Sequence, residues 1–437
     1  MHRTTRNRLI AGASAAVAVA LALTGCTGSG NTGGNSDEKV SIDYWGWVPG
    51  LDKAIAAWNA ENPDIQVTFS NTPADTAPAK LQAAVKAGNA PCLAQVGYSD
   101  LLSDLVDGQL LDVTEQAAQY KKDYVDFAWS LVSPGGKTYG IPQDTGPMVM
   151  YYRTDLFEQY GITVPKTWDE YAAAAKKVQA ANPDVAIGAL APNDAGAFEG
   201  YAWQAGAKWF SVDGDQWKVS IDDKATQKVA SYWQGLVDSK AVPVKLNYTP
   251  EYYADLASGK LLTVISAAWY SGIISQNAAD TSGKWAIAPM PSWDASKPAS
   301  ANLGGSASAV FQGCKYPEQA LKFANWLNSS ETSMNILADP KGGGLYPAAT
   351  AALGFDIVNA KSAFFGNQVP GEQFASASKA VPEGWNFGPI SGQTIQNVQD
   401  ALTNVQNGTG TIPAQLSGIQ STNLDALKSK GINASAG

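Results

Sequence analysis

A chain of 437 residues with 39 acids against 30 bases and a formal charge of −9 exceeds what one core usually organises, so two lobes are expected, and its acidic surface disfavours nucleic acid and anionic lipid as partners. The only histidine is His2, and the only arginine beyond position 8 is Arg153. A chain that has lost its leader therefore cannot build a Ser-His-Asp or Cys-His site, lacks the commonest zinc ligand, and is poorly equipped to grip a carboxylate or phosphate with paired guanidinium contacts, so an uncharged ligand is expected.

Residues 1–25 read as a lipoprotein signal peptide. Arg3, Arg6 and Arg8 precede an apolar run over 9–23, shorter than the roughly 20 residues of a membrane span. Leu23-Thr24-Gly25-Cys26 then matches the bacterial lipobox, with cleavage before Cys26 leaving its thiol for diacylation. An ordinary secretory signal with a chance cysteine is the alternative. Residues 26–38, rich in Gly, Ser and Asn, have the composition of a flexible tether. The expected location is the extracytoplasmic face of the bacterial cell membrane, attached through the lipid alone. Processing removes three arginines and no acid, taking the formal charge from −9 to −12.

In the mature chain, residues 40–44 alternate as a strand that runs into Trp45-Gly46-Trp47-Val48-Pro49-Gly50. Leu51, Ile55 and Trp58 recur at helical spacing, and Ile65, Val67 and Phe69 alternate as a second strand. The unit is β-loop-α-β, with a Trp-bearing loop at the carboxyl end of its first strand, where open α/β sheets bind ligands. A helix over 81–88 and a strand over 91–96 follow, the strand presenting Tyr98 and Ser99. The stretch 139–168 then joins turn residues Pro142 and Gly146 to an apolar strand over 148–152. A short helix closed by Gly161 comes next, and Thr167 with Glu170 forms a capping box for a helix over 168–181.

Further on, a strand is expected over 185–190, a helix holding Tyr201 and Trp203, and a Val-Asp-Gly-Asp turn between Trp209 and Trp217. Asp213, Asp215 and Asp222 lack the glycine and terminal glutamate of a calcium loop, so a solvated turn is the reading and no metal is expected. Residues 252–259 read as a helix and 261–268 as a strand capped by Trp269-Tyr270-Ser271-Gly272. An amphipathic helix over 316–327 precedes the Gly343-Gly344-Leu345-Tyr346-Pro347 segment. No phosphate-binding glycine loop is present, and no cofactor is expected.

The run YGIP, a polar gap, an apolar strand, YxxxDLF and P-x-TWDE over 139–170 resembles the crossover segment of family 1 extracellular solute-binding proteins, the sugar receptors of ABC importers. The opening Trp strand followed by NPDIQV, the strand ending at Trp269 and the late Gly-Gly runs extend that resemblance over nearly the whole mature chain. It implies an α/β, two-lobe, periplasmic-binding-protein-like fold of type II, with the ligand cleft between lobes joined by a multi-strand hinge. Lobe one would hold 39–143 and 303–344, and lobe two 144–302 and 345–437. The function implied is that of a monomeric, non-catalytic receptor that captures a neutral mono- or oligosaccharide and delivers it to the transmembrane subunits of an ABC permease. A secreted glycoside hydrolase using two carboxylates and a lipid-anchored adhesin are the competing classes.

Sugars offer apolar C–H faces rimmed by hydroxyls, so aromatic platforms and hydrogen-bonding groups are the side chains to look for. Most of the fourteen Trp residues must serve the core. The candidate ligand-binding residues are Trp45, Trp47, Tyr98, Asp144, Asp194, Trp269, Gly305, Tyr346 and Trp385. Cys92 and Cys314 are the remaining thiols, open to being buried and free or bonded to each other. Cys92 stands where the family usually has an acid, and the resemblance puts both cysteines in lobe one, so the bond is the expectation.

Overall fold

The structure, a computed structural model, describes residues 39–437; the leader, Cys26 and the tether fall outside the described residues. Strand β1 (Val40–Gly46), the helix Leu51–Glu61 and β2 (Ile65–Asn71) make the expected unit, with Val40 opposite Ile65 in a parallel ladder. Val40, Ile42 and Tyr44 alternate inward while Ser41 and Asp43 face solvent. Strand β3 (Leu93–Gly97) lies parallel on the other flank of β1.

The remaining strands are β4 (Gly140–Thr145), β5 (Met148–Arg153), β6 (Phe210–Asp213), β7 (Gln216–Val219), β8 (Thr263–Ala267), β9 (Trp285–Pro289), β10 (Ser306–Val310), β11 (Tyr346–Pro347) and β12 (Ala434–Ala436). They form a six-stranded sheet ordered β11-β4-β10-β3-β1-β2, a three-stranded sheet β8-β5-β9, and a small sheet β12-β7-β6. In the largest sheet β10 runs antiparallel between β3 and β4; in the second, β5 runs antiparallel to both neighbours. The chain thus returns twice to the first sheet, and Asp144, Thr145, Tyr346 and Pro347 are all still paired within it.

Two passages between these sheets run side by side. Gly146 N donates to Asn302 Oδ1 at 2.8 Å, Leu303 N to Gly146 O at 2.8 Å and Met148 N to Ala301 O at 2.8 Å. Their approach leaves no room for a side chain at Gly146, where a Cβ would stand 2.0 Å from the Leu303 carbonyl oxygen. Glycine is required there by proximity, its backbone conformation being ordinary.

The helix Trp168–Ala181 starts at Thr167 with the full capping box, Thr167 Oγ1 accepting from Glu170 N and the Glu170 carboxylate from Thr167 N. The strand expected over 185–190 is a correction. Only Ala186 and Leu190 bridge, to Leu261 and Val244, because the neighbours are the end of one helix and a loop through Pro243, neither long enough for a ladder. The Asp213-Gly214-Asp215 turn joins β6 to β7, and among the described residues no group of three or more His, Cys, Asp or Glu is placed to hold a metal.

Aromatic side chains fill the interior. Trp168 is fully buried, meets Tyr171, Tyr201 and Trp233 edge-on, and donates from Nε1 to Gln204 Oε1 at 2.7 Å. Cys92 and Cys314 are joined by a disulfide beside the Leu93–Val310 pairing of β3 and β10. The bond closes a loop with a sequence separation of 222, for which chain entropy gives an upper stabilisation of about 5 kcal/mol.

Candidate functional site

A cavity of about 500 Å³ opens between the first sheet and the helix Tyr270–Asn277. One wall comes from Trp47, Val48 and Pro49 after β1, from Gln95 to Gly97 at the end of β3, and from Asp100 and Asp104 on the helix Tyr98–Val106. The opposite wall is Trp269, Ile273, Gln276 and Asn277. The floor is Asp144 of β4 with Gly304, Gly305 and Ser306. The positions after β1 and at the ends of β3 and β4 are carboxyl ends of strands, where ligands of open α/β sheets bind. Gly304, Gly305 and Ser306 join them because β10 starts there and runs antiparallel to β3 and β4.

Trp269 stands between β8 and its helix, half-buried, and donates from Nε1 to Leu303 O at 3.1 Å. That bond fixes the indole against the second passage between the sheets. On the other side, Gln95 Oε1 accepts from Trp47 N at 3.0 Å and Val48 N at 3.3 Å, while Gln95 Nε2 donates to Ser306 Oγ at 3.0 Å. Ser306 Oγ donates in turn to Asp144 Oδ1 at 2.7 Å. The loop that carries Trp47 is therefore tied through two buried side chains to the floor. Gly305, at φ 86°, permits a close approach: a Cβ there would meet the Tyr98 ring at 2.8 Å and Asp144 O at 2.9 Å.

Of the nine residues named from sequence, Trp47, Asp144, Trp269 and Gly305 line this cavity, and five do not. Tyr98 is buried behind Gly305. Trp45 is half-buried on the opposite face of β1 from Tyr44. Tyr346 is buried with its ring edge-on to Phe374 at 5.6 Å. Trp385 stacks on Trp203 at 5.1 Å. Asp194 accepts from Tyr248 Oη at 2.9 Å and Asn247 Nδ2 at 3.2 Å, outside the cavity wall. Gln95, Asp100, Asp104, Gln276 and Ser306 were not singled out from sequence. Asp100 and Asp104 carry a readable signal, two acids four apart on one helical face.

Among the described residues, no lysine or arginine lines the cavity. Arg153 grips Asp155 in bidentate fashion at 2.8 and 2.7 Å and donates to the carbonyls of Leu256 and Ala257 at the end of the helix Pro250–Ser258. Burial pushes Asp144 up to about 6, opposed by the Ser306 hydroxyl, and Asp100 to about 6. Asp104 rises to about 8 through burial and then the nearby Asp100 and Asp107, and Glu199 to about 8 through burial and then Asp100. In an unfolded chain these groups titrate near 4. The folded state thus holds protons that unfolding releases, and stability falls as pH rises from about 4 towards 8. Ligand-free protein should melt at a lower temperature at pH 8 than at pH 5, and Asp104→Asn should flatten that slope. A melting temperature that climbs over the interval contradicts this assignment.

A family model described as bacterial extracellular solute-binding protein matches residues 45–334. The chain belongs to that family. The galacto-N-biose/lacto-N-biose I-binding protein of the ABC transporter from Bifidobacterium longum, solved with lacto-N-biose, superposes with a TM-score of 0.84 at 32% identity, covering 92% of this chain and all of that one. A binding protein from B. animalis subsp. lactis Bl-04 holding β-1,6-galactobiose gives 0.81 at 27% identity, covering 90% and 99%. Among curated relatives, the lactose-binding protein of Rhizobium radiobacter is 26% identical over 78% of this chain and 82% of its own length. The fold is accordingly the two-lobed α/β architecture of type II binding proteins, and the cavity just described lies at the junction of the two main sheets.

Proposed function

We propose that this solute-binding protein is the sugar receptor of an ABC importer: it captures a neutral di- or oligosaccharide outside the cell and releases it unchanged to the transmembrane permease subunits. The observation that carries the reading is the cavity itself, walled by two tryptophans, floored by a hydrogen-bonded carboxylate and, among the described residues, free of cationic side chains. Trp47 and Trp269 supply flat apolar surfaces for sugar C–H faces, while Asp144, Gln95 and Gln276 accept or donate to hydroxyls. Similarity over 92% and 90% of the chain to receptors solved with disaccharides supports the ligand class.

In this reading the two lobes are those expected from sequence, 39–143 with 303–344 and 144–302 with 345–437, shifted so that β4 to Thr145 and β11 to Pro347 stay with the first sheet. The passages near 146 and 302 act as hinge. A ligand touching both lobes stabilises the closed form by its differential affinity, and moving from mostly open to mostly closed takes about 5 kcal/mol of that difference. The protein acts as a monomer. Saturating disaccharide should raise the melting temperature by mass action and be recovered intact. Cleavage in proportion to protein and time overturns the receptor reading in favour of a two-carboxylate hydrolase.

Anchoring is the second element of the proposal, resting on the lipobox at Cys26 and the tether that follows. Lipidation there places the receptor beside its permease. Cys26→Ala should block processing or release the protein from the membrane fraction, and unchanged attachment with unchanged processing refutes the anchor.

A further inference from the structure

One end of the cavity gathers more carboxyl groups than a neutral sugar calls for. Asp100 and Asp104 lie one helical turn apart on Tyr98–Val106, and both line the cavity. Asp104 is only 7% exposed. Glu199, on the helix Ala195–Gln204, is buried close enough to Asp100 for their charges to interact. Among the described residues, no side-chain hydrogen bond or ion pair reaches any of the three carboxyl groups. Asp100 is instead pressed against the first turn of the helix Ser391–Gln406, where a Cβ on Gly392 would stand 2.7 Å from Oδ1. Of the other charged groups around them, Asp107 adds a further acid and Lys430 is already bound to Asp107.

Buried carboxylates without a donor are costly, and like charges nearby raise the cost. Asp144, on the cavity floor, has its serine hydroxyl; among the described residues none donates to Asp100 or Asp104. In the ligand-free protein a retained proton takes the place of a donor, Asp104 holding its own up to about 8, and a cationic group entering the cavity displaces it. A bare metal ion does not fit, because among the described residues no three acids converge for one. A ligand ammonium does fit, since it brings three donors and a charge into reach of two carboxylates without demanding a coordination sphere.

We propose that the Asp100–Asp104 end of the cavity is a subsite for a positively charged substituent, so that the protein takes a short glycoside bearing a protonated primary amine in preference to the same glycoside without it. The proposal rests on the sugar-receptor reading above and narrows its ligand class. Replacing a hydroxyl by an ammonium converts neutral hydrogen bonds into charge-assisted ones, roughly twice as strong, which corresponds to about tenfold in affinity.

The test is calorimetric titration of the mature protein at pH 7 with four probes: a neutral galactose disaccharide, its 2-amino-2-deoxy analogue, the N-acetylated form of that analogue, and the corresponding uronic acid. The amino sugar should bind about tenfold tighter than the neutral parent and the N-acetyl form, and the uronic acid weakest. In Asp100→Asn and Asp104→Asn the amino-to-neutral ratio should collapse towards one. Because the readout is a ratio, a general loss of pocket shape lowers both affinities and leaves the ratio intact, and that result assigns the two acids a structural role and overturns the subsite. Equal or weaker binding of the amino sugar by the native protein, with the neutral parent still bound, overturns the subsite and leaves the receptor reading standing. Failure of all four probes to bind overturns both.

Discussion

Replacing Trp269 with alanine should weaken sugar binding by about 30- to 1,000-fold, the usual consequence of removing a stacked, desolvated aromatic worth about 2 to 4 kcal/mol. The indole is half-buried at the junction of β8 and its helix, with its Nε1 bonded to Leu303 O at 3.1 Å and its neighbour Tyr270 tilted at 6.2 Å. It is therefore held in place before ligand arrives, and little ordering cost is left to be met on binding. The ligand-free variant loses one hydrogen bond, about 1 kcal/mol, and should keep most of its melting temperature. Trp269→Phe separates the two contributions: it retains an aromatic face but not the donor, so its affinity should fall between native and alanine. Titration and thermal melting of the three proteins check this. Affinity that survives alanine within a factor of about three, or unfolding of the ligand-free variant, would place the ring in the core and remove it from the site.

The second large effect is expected at Gly146. A valine there would drive its Cβ to within 2.0 Å of the Leu303 carbonyl and 3.2 Å of Ala267 Cβ. The carbonyl belongs to the other passage between the sheets, so it can yield only if the two passages separate. Separation breaks the Gly146–Asn302, Gly146–Leu303 and Met148–Ala301 bonds. Overpacking and lost hydrogen bonds together should cost about 3 to 5 kcal/mol. Gly235→Ala is the control. It lies in the helix Lys224–Asp238 with nothing within 4 Å of the new methyl, and should stabilise by up to about 1 kcal/mol. Denaturant unfolding of both variants measures the difference. If Gly146→Val unfolds at the native midpoint, the passages are not the close-packed pair described above.

Much of the fold was legible because it is written in short-range signals. Alternation in 40–44 and 65–69, the apolar run beginning at Met148 and the Thr167–Glu170 box each specify an element locally, and each forms. The segment 185–190 looked like a strand for the same reason, but a strand needs partners, and Pro243 and a helix end supply only single bridges. The helix Tyr98–Val106 went unread because it begins directly at the end of β3, after Gly97, with no side-chain cap to announce it.

The site divides along a similar line. Trp47 and Trp269 follow strands and Asp144 ends one, so topology alone carries them to the cavity. Trp385, flanked by Gly384 and Asn386, has the same local appearance, yet its ring stacks on Trp203, a partner 182 positions away. Asp194 likewise looks free in sequence but is held by Tyr248 and Asn247. Whether a polar or aromatic side chain in a loop is satisfied by the protein or left for a ligand depends on long-range packing, which local pattern does not encode.

The central claim, that a sugar lies between Trp47 and Trp269 over Asp144, is tested most directly by a crystal structure of the mature protein grown with a neutral galactose disaccharide. The account predicts an intact disaccharide in the cavity, a pyranose face against the Trp269 indole, and a ligand hydroxyl within hydrogen-bond distance of the Asp144 carboxylate. A sugar bound elsewhere on the surface with this cavity filled only by solvent, or a cleaved product within it, would contradict the account.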